Sequence, residues 1–317
     1  MSRLELSGDI IAHDPTIVFE NGAYWRFQTG DRLPFFRSAD LQKWESAGRV
    51  FESNPAWTSE AIPGSTHFWA PEVVFRNGEW RVYYSVSTFG SNVSAVGLAA
   101  SRSLDPSSAD YGWIDRGPVV FSQASDDFNA IDAAVFTDSD DRDWFVWGSF
   151  WGGIRMRALD RETGMLDLDR PVVTTLASKV AEPNPVEGAF VLPRGDWYYL
   201  FVSHDFCCRG VDSTYKIVVG RSSDPEGPYF DREGRAMAQG GGTVVRDGSS
   251  HPRWAGPGHC SVYTDNGVNR LVYHAYDREN GESPSFKSKR SSGPATSGRT
   301  ARNNPQRSDK HELSELS

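Results

Sequence analysis

The sequence has few cysteines. Its 317 residues include only Cys207, Cys208 and Cys260. An odd number that contains one adjacent pair does not make a disulfide framework, and no cysteine spacing here suits a structural zinc site. We therefore predict reduced thiols in a reducing compartment.

Long apolar segments are also missing. No run is long enough to span a bilayer, and the first eight residues lack the apolar core of a signal peptide. These absences predict a cytoplasmic protein that does not bind a membrane.

Basic residues are in the minority. Lys and Arg total 33 against 42 Asp and Glu, which gives a net charge of −9 and a pI of about 5.3. Because nucleic-acid binding depends on basic contacts to phosphate, this balance argues against a nucleic-acid partner and fits a neutral substrate. A long amphipathic helix pattern is absent too, and the composition leaves the oligomeric state open.

A repeated strand pattern fills most of the chain. A short run that opens with a polar or ionisable residue is followed by a turn and then by an aromatic strand. The five runs are His13–Phe19, Ala70–Phe75, Ile131–Phe136, Val186–Val191 and Gly258–Tyr263. A repeat of this length made of strands predicts an all-β fold, a five-bladed β-propeller with one blade per copy.

The first strand of every propeller blade lines the central channel. Asp14, Asp132 and Glu187 should therefore meet at one end of this channel, with His259 beside them. Three carboxylates that meet in a cleft point to hydrolysis of a glycosidic bond.

Each of these residues also has a structural interpretation. Asp14 could form a turn with Pro15, Asp132 could cap a strand end, and His259 could be a hydrogen-bonded channel histidine instead of a metal ligand. Glu187 is the stronger candidate, because apolar neighbours would desolvate it, raise its pKa and suit it to general-acid catalysis. Taken together, at corresponding places in the repeat, the four residues favour a catalytic site.

An ordered series of motifs carries a family resemblance. The motifs are Ala12–Pro15, Phe68–Glu72, Tyr83–Asn92, Asn129–Asp132, Gly148–Trp151, Phe206–Gly210 and Ser213–Lys216. Over roughly residues 9–282 the chain resembles glycoside hydrolase family 43, in particular its intracellular endo-1,5-α-L-arabinanases.

The resemblance implies cleavage of α-1,5-linked L-arabinofuranosyl bonds, in arabinan or arabino-oligosaccharides, with inversion at the anomeric carbon. Asp14 would be the general base and Glu187 the general acid. Asp132 would orient the acid and keep its pKa high.

The resemblance also implies a substrate-binding surface and a metal ion. The family's sugar-contact positions fall on Asp14, Gly90, Asn129, Ala130, Ile131, Asp132 and Ser149, with Trp69 and Phe89 as platforms for sugar rings. His259 matches the histidine that holds a hydrated calcium in the channel, where the ion has an electrostatic and structural role.

Residues 283–317 break the strand pattern. Ser, Arg, Lys, Pro and Asn dominate there, and Phe286 is the single aromatic residue. This composition predicts a disordered tail after a propeller domain at 1–282. Because the change falls in the middle of a blade, we predict that a reading-frame shift produced the tail and left the last blade without its closing strand.

Two alternatives stay open. The first is a β-xylosidase or α-L-arabinofuranosidase of the same family, with the same carboxylates in a blocked, pocket-shaped site. The second is a sugar-binding propeller without turnover. The Ser87–Gly90 and Phe206–Arg209 motifs favour an arabinanase over the first, and the three carboxylates argue against the second.

Overall fold

The computed structural model describes residues 4–265 and 267–290. In these ranges the chain forms 20 β-strands, one short α-helix and two 3₁₀ helices, which confirms the all-β class. The helices are α1 (Ala56–Ala61) and the 3₁₀ helices Gly210–Asp212 and Met237–Gln239. Because α1 has six residues, no helix in the described part of the chain is long and apolar enough to cross a membrane.

The strands form five sheets that follow one another along the chain. The first sheet contains β1 (Ser7–Gly8), β2 (Thr16–Glu20), β3 (Ala23–Phe27), β4 (Pro34–Ser38) and β5 (Lys43–Arg49). The second contains β6 (Phe68–Arg76), β7 (Glu79–Val86), β8 (Ser94–Ser101) and β9 (Ile114–Ser122). The third contains β10 (Ala134–Thr137), β11 (Asp143–Trp147), β12 (Ile154–Leu159) and β13 (Thr174–Ala177). The fourth contains β14 (Val186–Arg194), β15 (Trp197–His204), β16 (Lys216–Ser222) and β17 (Thr243–Arg246). The fifth contains β18 (Trp254–Asp265), β19 (Val268–Asp277) and β20 (Gly281–Arg290).

Tight turns join the first two strands of a sheet. In Asn21-Gly22 the two φ angles are 48° and 80°, and in Asn77-Gly78 they are 49° and 75°. Successive positive φ values define a type I′ turn, which suits the right-handed twist of a hairpin and favours Asn-Gly. The hairpin turns predicted at these two positions are confirmed.

β1 pairs with β5 at the far edge of the first sheet. Apart from β1, the first strands of the five sheets are β2, β6, β10, β14 and β18, and they contact one another in a closed ring. This arrangement confirms the propeller. Four sheets contain four or five strands and are complete blades, whereas the sheet of β18, β19 and β20 contains three strands. The prediction of five blades is therefore met by only four complete blades within residues 4–265 and 267–290.

Contacts between the first and last sheets close the ring. The Ser261 hydroxyl donates a hydrogen bond to the Pro15 carbonyl oxygen at 3.2 Å, and the Tyr24 hydroxyl donates to Asp265 at 3.3 Å. A buried apolar cluster packs alongside, formed by Ala12, Ile17, Leu41, Trp44 and Val272. These contacts bring Asp14 next to the strands that carry His259 and His274.

The cysteine prediction is corrected. Cys207 and Cys208 form a disulfide in the loop after β15, and Cys260 is free and buried. The argument from an odd count excludes a framework that joins distant segments, but it does not exclude a bond between sequence neighbours.

The chain after residue 282 begins as a strand. β20 pairs with β19 from Arg270↔Arg290 to Asp277↔Gly281, so the strand pattern continues past the predicted start of the tail. Backbone pairing of this kind does not require an apolar sequence. Residues 291–317, the rest of the predicted disordered tail, lie outside the described residues.

Candidate active site

A backbone kink lies within or just before the strand of each sheet that belongs to the inner ring, namely β2, β6, β10, β14 and β18. Asp14, Ala70, Asp132, Gly188 and His259 all have φ between 44° and 60°. At Ala70, Gly188 and His259 the kink coincides with an irregular strand register. Bulges of this kind redirect side chains and are common beside active sites. The kinks therefore position the side chains at one end of the channel.

The repeat predicted that Glu187 occupies the position equivalent to Asp14 and Asp132. The structure places Gly188 at that position instead. Gly188 has the positive φ in the fourth sheet, and Glu187 precedes it. An added Cβ at Gly188 would lie 3.1 Å from Nδ1 of His259, so the close approach of His259 favours glycine here. The Glu187 side chain therefore enters the site from the residue before the kink.

Asp14 is held in a dense hydrogen-bond network. Its Oδ2 lies 2.8 Å from Nδ1 of His13 and accepts a hydrogen bond from the Thr29 hydroxyl at 2.5 Å. Burial by itself would raise the pKa of Asp14, but the charge of the neighbouring His13 and its hydrogen bond do most to outweigh burial and hold that pKa well below its usual range. Asp14 is therefore ionised, as a general base must be.

His13 and His274 stack beside Asp14, with ring centroids 3.9 Å apart. Ligand atoms of His13, Asp14 and His274 lie within 4.8 Å of one another, which is close enough to hold a metal ion. Nδ1 of His274, however, accepts the backbone N–H of Asp14 at 3.2 Å, and Nδ1 of His13 is bonded to the Asp14 carboxylate. These nitrogens therefore serve a hydrogen-bond network that orients Asp14.

Asp132 and Glu187 are adjacent buried carboxyl groups. The Gly188 N–H donates to Oδ2 of Asp132 at 3.1 Å, and the Ser149 hydroxyl donates to Oε2 of Glu187 at 2.6 Å. Burial raises the pKa of both groups, and the repulsion between two close negative charges raises the pKa of Asp132 further. Hydrogen bonds from Ser149 and Tyr215 to Glu187 oppose this rise only in part.

His259 lies between the carboxylates. Its Nδ1 is 3.3 Å from Oδ1 of Asp14 and 3.9 Å from Oδ2 of Asp132. Its backbone N–H donates to the Ser203 hydroxyl at 2.8 Å. Burial lowers the pKa of His259, against the attraction of Asp14. The structure thus brings Asp14, Asp132, Glu187 and His259 together.

Apart from Asp14 and Asp132, the predicted sugar-contact residues lie in three places, of which the first two are close to the carboxylates. Asn129, Ala130 and Ile131 are buried beside Asp132, and the Ile131 carbonyl accepts the N–H of Gly148, next to Ser149. Trp69 is half-buried on β6. Its neighbour Ala70 donates its N–H at 2.8 Å to the same Thr29 hydroxyl that binds Asp14. 

Phe89 and Gly90 lie in the loop after β7. Phe89 is 84% exposed, and Gly90 has a φ of 80° and is exposed as well. Among the described residues, both are outside the hydrogen-bond network of the carboxylates. Both residues are therefore accessible from solvent.

Several residues at the site were not predicted. His13 and Tyr215 belong to motifs that the sequence singled out, but Thr29, His274 and Tyr276 carried no signal of their own. Gly258 also has an unpredicted role, since an added Cβ there would lie 1.8 Å from Cδ1 of Tyr215. Glycine at 258 lets the Tyr215 ring pack directly on the backbone that leads to His259.

Comparison with known proteins gives the family. The sequence model of glycosyl hydrolases family 43 matches residues 9–301. The chain belongs to this family. An extracellular exo-α-(1→5)-L-arabinofuranosidase of Cellvibrio japonicus is 39% identical over 277 residues, which cover 84% of this chain and 79% of the relative.

Two further relatives are named as arabinanases. An extracellular endo-α-(1→5)-L-arabinanase of Bacillus subtilis is 39% identical over 84% of this family 43 chain and 80% of its own length. The solved structure of a Cellvibrio cellulosa α-L-arabinanase complexed with arabinohexaose aligns with a TM-score of 0.84 at 36% identity. It covers 89% of this chain and 92% of that one.

These relatives correct the predicted compartment. Both curated relatives are named extracellular enzymes, so the cytoplasmic prediction is wrong. The Cys207–Cys208 disulfide agrees with an oxidising environment, where disulfides persist.

Proposed function

We propose that this family 43 protein is an inverting endo-α-1,5-L-arabinanase that cleaves arabinan or arabino-oligosaccharides. One observation carries the proposal, namely that a single site holds two carboxyl groups in opposite electrostatic settings. The pKa of Asp14 is lowered and the pKa of Glu187 is raised. Two groups with pKa values pushed apart are what acid–base catalysis requires. The substrate class follows from the relatives with that activity.

The roles follow from these environments. Asp14 takes a proton from water as the water oxygen attacks the anomeric carbon. Glu187 gives its proton to the glycosidic oxygen as that bond breaks. Asp132, bonded to the N–H of Gly188, and Glu187 repel each other when both are ionised, so the pair retains a proton that Glu187 can give.

Substrate binding extends from this centre. Ser149, Asn129, Ala130 and Ile131 form the wall beside the acid, and Trp69 provides a face for a sugar ring near the base. The exposed Phe89 and Gly90 suit contact with sugar units farther along an open chain, as cleavage within a polymer requires.

The same proposal includes a hydrated calcium held by His259. The lowered pKa of His259 keeps the imidazole neutral and able to bind a cation, and two carboxylates lie within 3.9 Å of its Nδ1. Calcium takes about six to eight oxygen ligands, so water would supply most of its shell. When bound, the ion would supply positive charge that stabilises the ionised carboxylates.

The sheet of β18, β19 and β20 serves as the fifth blade in this proposal. Support comes from its position, because β18 contacts both β14 and β2 and carries His259 into the site. A three-stranded fifth blade is enough to complete the ring of first strands, although within the described residues it has one strand fewer than the second, third and fourth sheets and two fewer than the first.

Debranched arabinan tests the function directly. We expect intermediate arabino-oligosaccharides to accumulate early when products are separated by size, because an endo-acting enzyme cuts within the chain. Proton NMR of the first products should show the inverted anomer. A Glu187→Ala variant purified in the same way controls for contaminating activity.

The other outcomes identify the alternatives. Release of a single small product from the start would indicate exo action. Hydrolysis of nitrophenyl arabinofuranoside or xyloside without attack on arabinan would indicate the pocket-shaped enzyme. Calorimetric binding of arabino-oligosaccharide without any product would indicate a sugar-binding propeller and refute the proposal.

A further inference from the structure

The loop after β15 contacts both sides of the active site. At its start the Phe206 carbonyl oxygen accepts the N–H groups of Thr214 and Tyr215 at 3.0 and 3.1 Å. The Phe206 N–H donates to the Thr214 hydroxyl at 3.2 Å. Phe206 thereby fixes the backbone of Tyr215, whose hydroxyl bonds to the acid Glu187.

Two residues later the same loop reaches the base. The Cys208 N–H donates to the Tyr276 hydroxyl oxygen at 3.1 Å, and that oxygen lies 3.2 Å from Nε2 of His13. Sγ of Cys208 lies 3.8 Å from the same Nε2. His13 in turn bonds through Nδ1 to Asp14.

This geometry assigns the protons of His13. Nδ1 donates to the Asp14 carboxylate, and Nε2 shares a hydrogen bond with the Tyr276 hydroxyl, as acceptor in the neutral ring and as donor in the protonated ring. The Tyr276 oxygen still accepts the N–H of Cys208. One hydroxyl thus links the loop to the ring that orients the base.

The disulfide lies within this connection. Cys207 and Cys208 are bonded to each other, and Cys208 has a φ of 63°. A covalent ring across two adjacent residues restricts their backbone angles and so fixes the direction of the Cys208 N–H. Ordering this N–H therefore costs little conformational entropy when substrate binds. The peptide unit between Cys207 and Cys208, which carries this N–H, is therefore held in one arrangement.

We propose that the Cys207–Cys208 disulfide and Tyr276 are positioning elements of this enzyme, which hold His13 against Asp14 while the same loop holds Tyr215 against Glu187. The inference rests on the proposed hydrolase function, since it assigns these residues a part in spacing its acid and base. Neither Tyr276 nor the two cysteines transfers a proton to substrate.

Reduction provides a reversible perturbation. Dithiothreitol gives two electrons and two protons to the disulfide, which breaks the S–S bond and forms two thiols, while the reagent becomes its cyclic disulfide. Cys208 is exposed, so the reagent has access to it. Without the ring, the Cys208 N–H is no longer held towards Tyr276.

The kinetic test compares Tyr276→Phe with a matched control. Tyr198→Phe also removes a hydroxyl that accepts a backbone N–H, that of Ser139 at 2.9 Å, but outside the site. On linear arabino-oligosaccharide we expect kcat of Tyr276→Phe to fall roughly tenfold to a hundredfold, because a small misplacement of a reacting group has an effect of this size. KM should stay within about twofold, and Tyr198→Phe should retain the wild-type kcat.

The redox test uses the wild-type protein and a Cys207→Ser/Cys208→Ser double variant. Dithiothreitol should lower kcat of the wild type by a similar factor, and reoxidation should restore it. The double variant should start at the lowered kcat and should not respond. An unchanged kcat in reduced wild type and in Tyr276→Phe would overturn the proposal, as would equal losses in Tyr198→Phe accompanied by a lower melting temperature.

A measurement independent of activity separates this proposal from the proposed function. The protein contains seven histidines, and in ¹⁵N-histidine-labelled protein the His13 signals can be assigned with a His13→Gln variant. Reduction and Tyr276→Phe should each shift the Nε2 resonance of His13. If wild type fails to cleave arabinan while this shift occurs, the positioning stands and the function fails. If arabinan is cleaved and the resonance stays constant, only the positioning is refuted.

Discussion

Glu72 is a buried carboxyl group that the proposed mechanism does not use. It lies on β6, 6% exposed, between the first and third sheets. The Thr16 hydroxyl lies 3.5 Å from its Oε2, and the Val135 N–H also bonds to the carboxyl group. Burial outweighs these hydrogen bonds and raises the pKa of Glu72 to about 8, from an ordinary value of 4.5. We predict that Glu72 makes the folded protein less stable as the pH rises.

The sign and size follow from proton linkage. Below about pH 4.5 the carboxyl group is protonated in both the folded and the unfolded chain, and its contribution to stability is fully present. As the pH rises towards 8, the unfolded chain loses this proton while the folded chain retains it, so the free energy of unfolding falls. The slope reaches about 1.4 kcal/mol per pH unit only between the two pKa values and is shallower near each of them, so the loss between pH 5 and pH 8 is roughly 3 kcal/mol.

Glu72→Gln isolates this effect because glutamine resembles the protonated acid and does not titrate. Urea unfolding at pH 5, 6, 7 and 8 gives the difference in unfolding free energy between the variant and the wild type. We expect this difference to shift by roughly 3 kcal/mol in favour of the variant from pH 5 to pH 8. Glu60→Gln, at an exposed position on α1, is the control. A difference for Glu72→Gln that is the same at every pH would refute the reasoning.

Four further predictions concern the site and the chain end. Asp14→Ala and Glu187→Ala should each lower kcat by about 10²–10⁴-fold with unchanged circular dichroism, and retention of most turnover would remove the assigned role. Asp132→Asn should move the alkaline limb of the pH–rate profile to lower pH, because the mutual repulsion of the two carboxylates is lost and Glu187 then ionises more easily; an unmoved limb would contradict the role of Asp132. His259→Ala should abolish binding of calcium by protein purified without chelator, and should remove the rise in melting temperature that added calcium gives the wild type; equal calcium contents would exclude His259 as the ligand. Sequencing the coding DNA should show that a shifted frame after Glu282 encodes a continuation of the family's strand pattern, and a shifted frame without such a pattern would rule out the frame shift.

Local chemistry explains what could be predicted from the sequence. The alternation within strands and the Asn-Gly turns at Asn21 and Asn77 depend on neighbouring residues, so they identify hairpins without knowledge of the rest of the chain. Repetition of this unit then predicts a propeller, and a propeller brings the first strands together. The meeting of Asp14, Asp132 and His259 follows from that topology.

The repeat pattern could not predict shifts of a single residue in the position of a side chain. Gly188 takes the backbone position that the pattern gave to Glu187, because a positive φ and the close approach of His259 favour glycine there. The strand β20 likewise forms in a stretch whose composition predicted disorder, since pairing with β19 satisfies its backbone. In both cases the deciding contact comes from a segment distant in sequence.

The sequence by itself therefore determined the all-β propeller, the three carboxyl groups and the family. Only the tertiary structure decided how these groups are tuned. Thr29, His274 and Tyr276 act on Asp14 directly or through His13, and two of them lie about 260 residues away along the chain. A pKa depends on burial and on charges within a few ångströms, and ring closure between the first and last sheets sets both. The order of residues along the chain does not specify those distances, because they are set only when the ring closes.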